Sequence, residues 1–65
     1  MDPQVLELIE RADAGLRRLL GDLRRQPTSW EEQARMLLEL QEVATLLVDA
    51  SRRYAEQLSR DAGER

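Results

Sequence analysis

Residues 24–32 read Arg24-Arg25-Gln26-Pro27-Thr28-Ser29-Trp30-Glu31-Glu32, and the four in the middle, Gln26 to Ser29, punctuate a chain that otherwise carries helical periodicity throughout. Pro27 lacks an amide proton and disfavours helical geometry in the residue before it, so a helix must stop there. Arg24 and Arg25 sit where the negative end of a helix dipole favours cations. Directly afterwards, Thr28 with Glu31 and Ser29 with Glu32 each fit the capping box that opens a helix, and the two glutamates suit the positive end of its dipole. One stop and one start, three residues apart, predict a helical hairpin: helix 1 over about 3–25, a loop at 26–28, helix 2 over about 29–61 and a frayed tail at 62–65.

Working outward, Asp2 followed by Pro3 is a helix start, an N-cap acceptor and then proline in the first turn. In helix 1, apolar residues recur at Val5, Ile9, Ala12, Leu16, Leu19 and Leu23 in alternating steps of four and three. Gly15 and Gly21 each cost about 1 kcal/mol against alanine in a helix interior, yet the seam runs through both, and Gly15 is expected to pack closely on a neighbour. In helix 2 the seam is read at Trp30, Leu37, Leu40, Ala44, Leu47, Ser51, Tyr54 and Leu58. Antiparallel pairing through a short loop then sets Leu19 opposite Leu37, Ala12 opposite Ala44 and Val5 opposite Ser51, with Tyr54 and Leu58 beyond the start of helix 1. Acid-before-arginine pairs at i,i+4 (Glu7/Arg11, Asp13/Arg17, Glu31/Arg35, Asp49/Arg53, Glu56/Arg60) add a few tenths of a kcal/mol apiece.

The apolar stripe is wider than one helix needs. Met36, Val43 and Ala50 broaden it on one side of helix 2, and Ala34 and Val48 on the other; helix 1 has a similar excess in Leu6, Leu8 and Leu20. One antiparallel neighbour covers a stripe of about 100°, so the remainder awaits another surface. Chain length points the same way. A 65-residue chain buries only about 60% of its unfolded surface and usually needs a staple. No Cys and no His are present, which removes disulfide and zinc and leaves another chain. The expected fold is an all-α antiparallel two-helix hairpin, completing a four-helix bundle by dimerisation or by packing on a helical partner. The residues expected at that interface are Leu16, Leu20, Leu37, Leu40, Val43, Ala44, Leu47, Val48, Tyr54 and Leu58.

Composition excludes several functions. With no His, Cys or Lys there is no side chain suited to nucleophilic or acid–base work near neutral pH, and Glu39 and Glu42 read as solvated charges on a polar face, so an enzyme is not expected. Neither a cofactor nor a small-molecule ligand is expected, for want of a phosphate loop or a Glu-x-x-His di-metal motif. No run of 18 apolar residues predicts a membrane span, and Met1-Asp2-Pro3-Gln4 does not open a secretory signal; a cytoplasmic location is expected. The 13 acidic and 10 basic residues give a net charge of −3, which disfavours nucleic acid. Arg17, Arg18, Arg24 and Arg25 nevertheless cluster, as a patch for an acidic partner or for RNA. The dimeric hairpin Rop, a plasmid copy-number regulator that binds RNA through its helix faces, makes RNA the alternative function; a homo-oligomeric bundle without a ligand, natural or designed, is a third. All ten basic residues are arginine, and Gly, Ala, Arg and Pro together supply 22 of the 65 residues, as in genes of GC-rich bacteria.

The segment Trp30–Tyr54, WEEQARMLLELQEVATLLVDASRRY, resembles the second helix of the small cytoplasmic E component of type III secretion needles. The likeness rests on Trp30 and Gln33, Leu37-Leu38-Glu39, Ala44 through Val48, and Tyr54, and covers about 25 of the 65 residues. It implies a helical hairpin acting as a co-chaperone, which joins a second, repeat-helix chaperone to hold the aggregation-prone needle subunit in the cytoplasm. It further implies that Leu37, Leu40, Val43, Ala44, Leu47 and Val48 meet helix 1 and that chaperone between them.

Overall fold

A computed structural model describes residues 2–63. They form an all-α antiparallel hairpin, α1 (Pro3–Arg24) and α2 (Trp30–Gly63), measuring 55 × 15 × 12 Å. The starts follow their capping chemistry. The Gln4 amide donates to Asp2 Oδ1 at 2.9 Å, with Pro3 in the first turn. The Glu32 amide donates to Ser29 Oγ at 3.0 Å, so of the two candidate caps Ser29, not Thr28, supplies the hydroxyl. Each cap satisfies an amide that the helix cannot. The turn runs over residues 25–29, slightly longer than predicted. Its reversal is made at Gln26, which takes φ 55° while its amide donates to the Leu23 carbonyl at 3.0 Å. Helix α2 continues through Ala62 and Gly63, which the sequence reading gave to a frayed tail; nothing there breaks the helix. Positions 64 and 65 of that tail lie outside the described residues.

The sequence reading placed the contact between the two helices on the wrong residues of α2. The buried side chains are Val5, Ala12 and Leu19 from α1 and Met36, Val43 and Ala50 from α2, all at most 8% exposed. Leu8, Gly15 and Asp22 on α1 and Glu39, Leu46 and Arg53 on α2 are half-buried beside them. The seam expected on α2, from Trp30 through Leu37, Leu40, Ala44, Leu47, Ser51 and Tyr54 to Leu58, is exposed along its whole length. Met36, Val43 and Ala50, read as the flank of the stripe, are its covered part. Leu46 joins this contact, and Glu39, read as a solvated charge, is partly covered at its edge. The physical reason is size. Ala12, Gly15 and Ala50 let the two backbones approach, whereas bulky leucines in the same place would hold the axes apart. A Cβ built on Gly15 would stand 3.0 Å from Val43 Cγ2, the close packing expected of that glycine.

Polar ties fix the register at the open end. The Asp2 amide donates to Gln57 Oε1 at 3.0 Å, and the Arg53 guanidinium donates to Gln4 Oε1. Together with the Gly15–Val43 approach, these slide α2 by about two residues against the expected pairing of Ala12 with Ala44. Tyr54 therefore lies within the span of α1, not beyond it, and only Leu58 and the residues after it overhang.

Candidate protein-docking face

Two uninterrupted apolar series run along the hairpin in steps of four and three: Val5, Ile9, Ala12, Leu16, Leu19 and Leu23 on α1, and Met36, Leu40, Val43, Leu47, Ala50 and Tyr54 on α2. The hairpin covers alternate members only. Val5, Ala12, Leu19, Met36, Val43 and Ala50 are buried, while Ile9, Leu16, Leu23, Leu40, Leu47 and Tyr54 are between 39% and 52% exposed. Both alanines of the two series, Ala12 and Ala50, are inside, and the aromatic Tyr54 is outside.

Helix geometry places the exposed members together. From the buried positions of either helix, the exposed series lies about 50° further round in the direction of increasing residue number, away from the half-buried positions. The helices run in opposite directions, so equal rotations on the two carry both stripes to the same side of the hairpin. Leu6 and Leu20 extend this side on α1, and Trp30, Leu37, Ala44, Val48 and Leu58 extend it on α2, Trp30 being 80% exposed. The other side is charged: Arg11 and Arg18 of α1 share a groove with Arg35, Leu38 and Glu42 of α2. The hairpin has one apolar and one polar face, and among the described residues thirteen large apolar side chains are left exposed.

Nine of the ten residues expected at an interface, Leu16, Leu20, Leu37, Leu40, Ala44, Leu47, Val48, Tyr54 and Leu58, are exposed and lie on the apolar side. Val43 is the exception; at 5% exposure it is covered by α1 and cannot reach a partner. The sequence reading missed that both series point midway between the in-chain neighbour and the empty side. The signal was present, since the series on α2 that includes Met36, Val43 and Ala50 contains no polar residue, whereas the seam chosen for it includes Ser51.

The four arginines do not form one patch. On the helical wheel Arg17 and Arg24 fall on the outer edge of α1 and Arg18 and Arg25 on the polar side. Two are already paired, Arg17 Nε with Asp13 Oδ2 at 3.1 Å and Arg25 Nη1 with Asp22 Oδ1 at 3.4 Å. Of the other expected pairs, Glu7–Arg11 and Asp49–Arg53 form at 3.4 and 3.5 Å; Glu31–Arg35 and Glu56–Arg60 are not among the ion pairs of the described residues. Along the outer edge of the apolar face, α1 carries acid in its first half (Glu10, Asp13) and base in its second (Arg17, Arg24), whereas α2 carries the uncharged Ala34, Gln41, Val48 and Ala55. Among the described residues no three acidic groups converge on a point where they could hold a metal ion, and no helix is long and apolar enough to cross a membrane.

A compact folded monomer of 7.5 kDa exposes about 4,200 Å², and this chain exposes 5529 Å². The chain matches no protein-family model, no curated protein and no solved structure.

Proposed function

We propose that this chain is a cytoplasmic, non-enzymatic protein–protein interaction module, a small co-chaperone that binds a helical partner through the apolar face. One observation carries the reading: an apolar surface that both helices build and neither covers. Contiguous exposed apolar area of this kind marks interaction sites, and an apolar surface built by two helices suits the apolar faces of a helical partner. The more specific reading, a needle co-chaperone of type III secretion, draws support from position. Of the residues that carry the resemblance to that family, Trp30, Leu37, Ala44, Leu47, Val48 and Tyr54 lie on the exposed face, whereas Leu38, Glu39 and Leu46 line the opposite, polar side.

The test is co-purification from the native host with mass identification of bound chains, comparing three variants. Leu47→Asp and Leu16→Asp place a charge on the open face and are expected to remove the bound chain while the purified protein stays helical. Val43→Asp places it between α1 and α2 and is expected to unfold the hairpin, since an unpaired buried charge costs several kcal/mol. Undiminished recovery of the same partner with Leu47→Asp and Leu16→Asp overturns the proposal.

A further inference from the structure

The apolar series are aimed for a bundle, not for a pair. In an isolated two-helix coiled coil the centre of each stripe points at the other helix. Here the stripe centre is turned about 50° away from the in-chain neighbour on both helices, toward the same side. A square four-helix bundle needs a turn of about 45°, because each helix must point at the diagonal between its two neighbours. The occupant is therefore two helices side by side. The surface exposed beyond that of a compact monomer, about 1,300 Å², exceeds the roughly 800 Å² that each partner gives to a standard interface.

We infer that a second copy of this chain occupies the face, inverted end for end, so that α1 packs on α1 and α2 on α2 about a two-fold axis at the level of Gly15 and Ala44. Three features converge on that arrangement. Inversion sets the acidic half of one α1 edge, Glu10 and Asp13, against the basic half of the other, Arg17 and Arg24, and the axis that matches Asp13 with Arg17 passes Gly15. The hairpin's own register puts Gly15 level with Val43, and the next residue, Ala44, is on the open face. An axis at Ala44 brings Trp30 against Leu58 of the second copy and Leu37 against Ser51 of the second copy; Trp30 lies past the last residue of α1 and Leu58 past its first, and both are exposed, at 80% and 53%. The alternative two-fold, with both loops at one end, would set those α1 charges against the uncharged edge of α2. This inference rests on the same face as the proposed function, and the host partner then competes with the second copy for it.

Two measurements test it. The natural chain has no cysteine, so Ala44→Cys puts a single thiol at the axis. Mild oxidation is expected to yield a covalent dimer, with Arg52→Cys on the outer side of α2 as the control that stays monomeric. Equal cross-linking at both positions, or none at 44, overturns the inference. Separately, Asp13→Arg and Arg17→Asp each place like charges across the axis, whereas a mixture of the two chains restores opposite charges. The mixed dimer is expected to be about tenfold tighter than either homodimer; equal affinities overturn the inverted arrangement. A chain that sediments as a monomer at tens of micromolar yet still retrieves its host partner defeats this inference and leaves the proposed function standing; a cross-linked dimer that retrieves nothing does the reverse.

Discussion

Gln26 holds a left-handed backbone, φ 55°, that side chains with a Cβ adopt at a cost of about 1–2 kcal/mol. Gln26→Gly relieves that cost while loosening the unfolded chain, for a net gain of about 0.5–1 kcal/mol in urea unfolding. The two helical glycines part company. Gly21 has nothing within 4 Å of an added Cβ, so Gly21→Ala gains the full helix preference, about 1 kcal/mol. At Gly15 the same methyl meets Val43 Cγ2 at 3.0 Å, and either the valine or the whole of α2 must retreat. Gly15→Ala is expected to be less stable than Gly21→Ala by about 1–2 kcal/mol, and equal midpoints for the two would show that the helices do not approach so closely.

At the scale of the helix, the cap on α2 rests on one hydroxyl. Ser29→Ala is expected to destabilise by about 1 kcal/mol, read by thermal melting, whereas Thr28→Ala, which leaves the cap intact, is expected to change little. Helix starts were legible in the sequence because capping is local: Asp2-Pro3 and Ser29 with Glu32 declare themselves within four residues. The reversal was not, since no glycine marks Gln26 and only the tertiary need to turn the chain places it in that conformation. The rotation of each helix about its own axis was also hidden. A stripe about 200° wide fits several rotations equally well as a wheel diagram. The choice falls to contacts far apart in sequence: the small Ala12, Gly15 and Ala50, and the ties from Asp2 and Gln4 to Gln57 and Arg53. That is why Val43, expected on the open face, is covered by α1, while its neighbours Ala44, Leu47 and Val48 are exposed.

For the molecule as a whole, the surplus apolar surface was legible as a sum, because the excess of leucine does not depend on register. Its single-sidedness needed the antiparallel geometry. Trp30, the sole tryptophan, reports directly on whether that side is covered. Its emission is expected to shift to shorter wavelength as concentration rises through the dissociation constant of the pair, and Leu58→Ser is expected to weaken that shift; an emission maximum that stays water-like from nanomolar to millimolar concentration would count against coverage by a second copy. Thermal midpoints should rise with concentration for the same reason.

A rod 55 Å long with one wettable flank and one oily flank is an amphiphile, with the habits of a surfactant. When dilution strips away whatever shields the oily flank, the free hairpin can satisfy it at an air–water boundary or on plastic. Its loss from dilute solution should outpace the dilution itself, and a trace of mild detergent should prevent that loss.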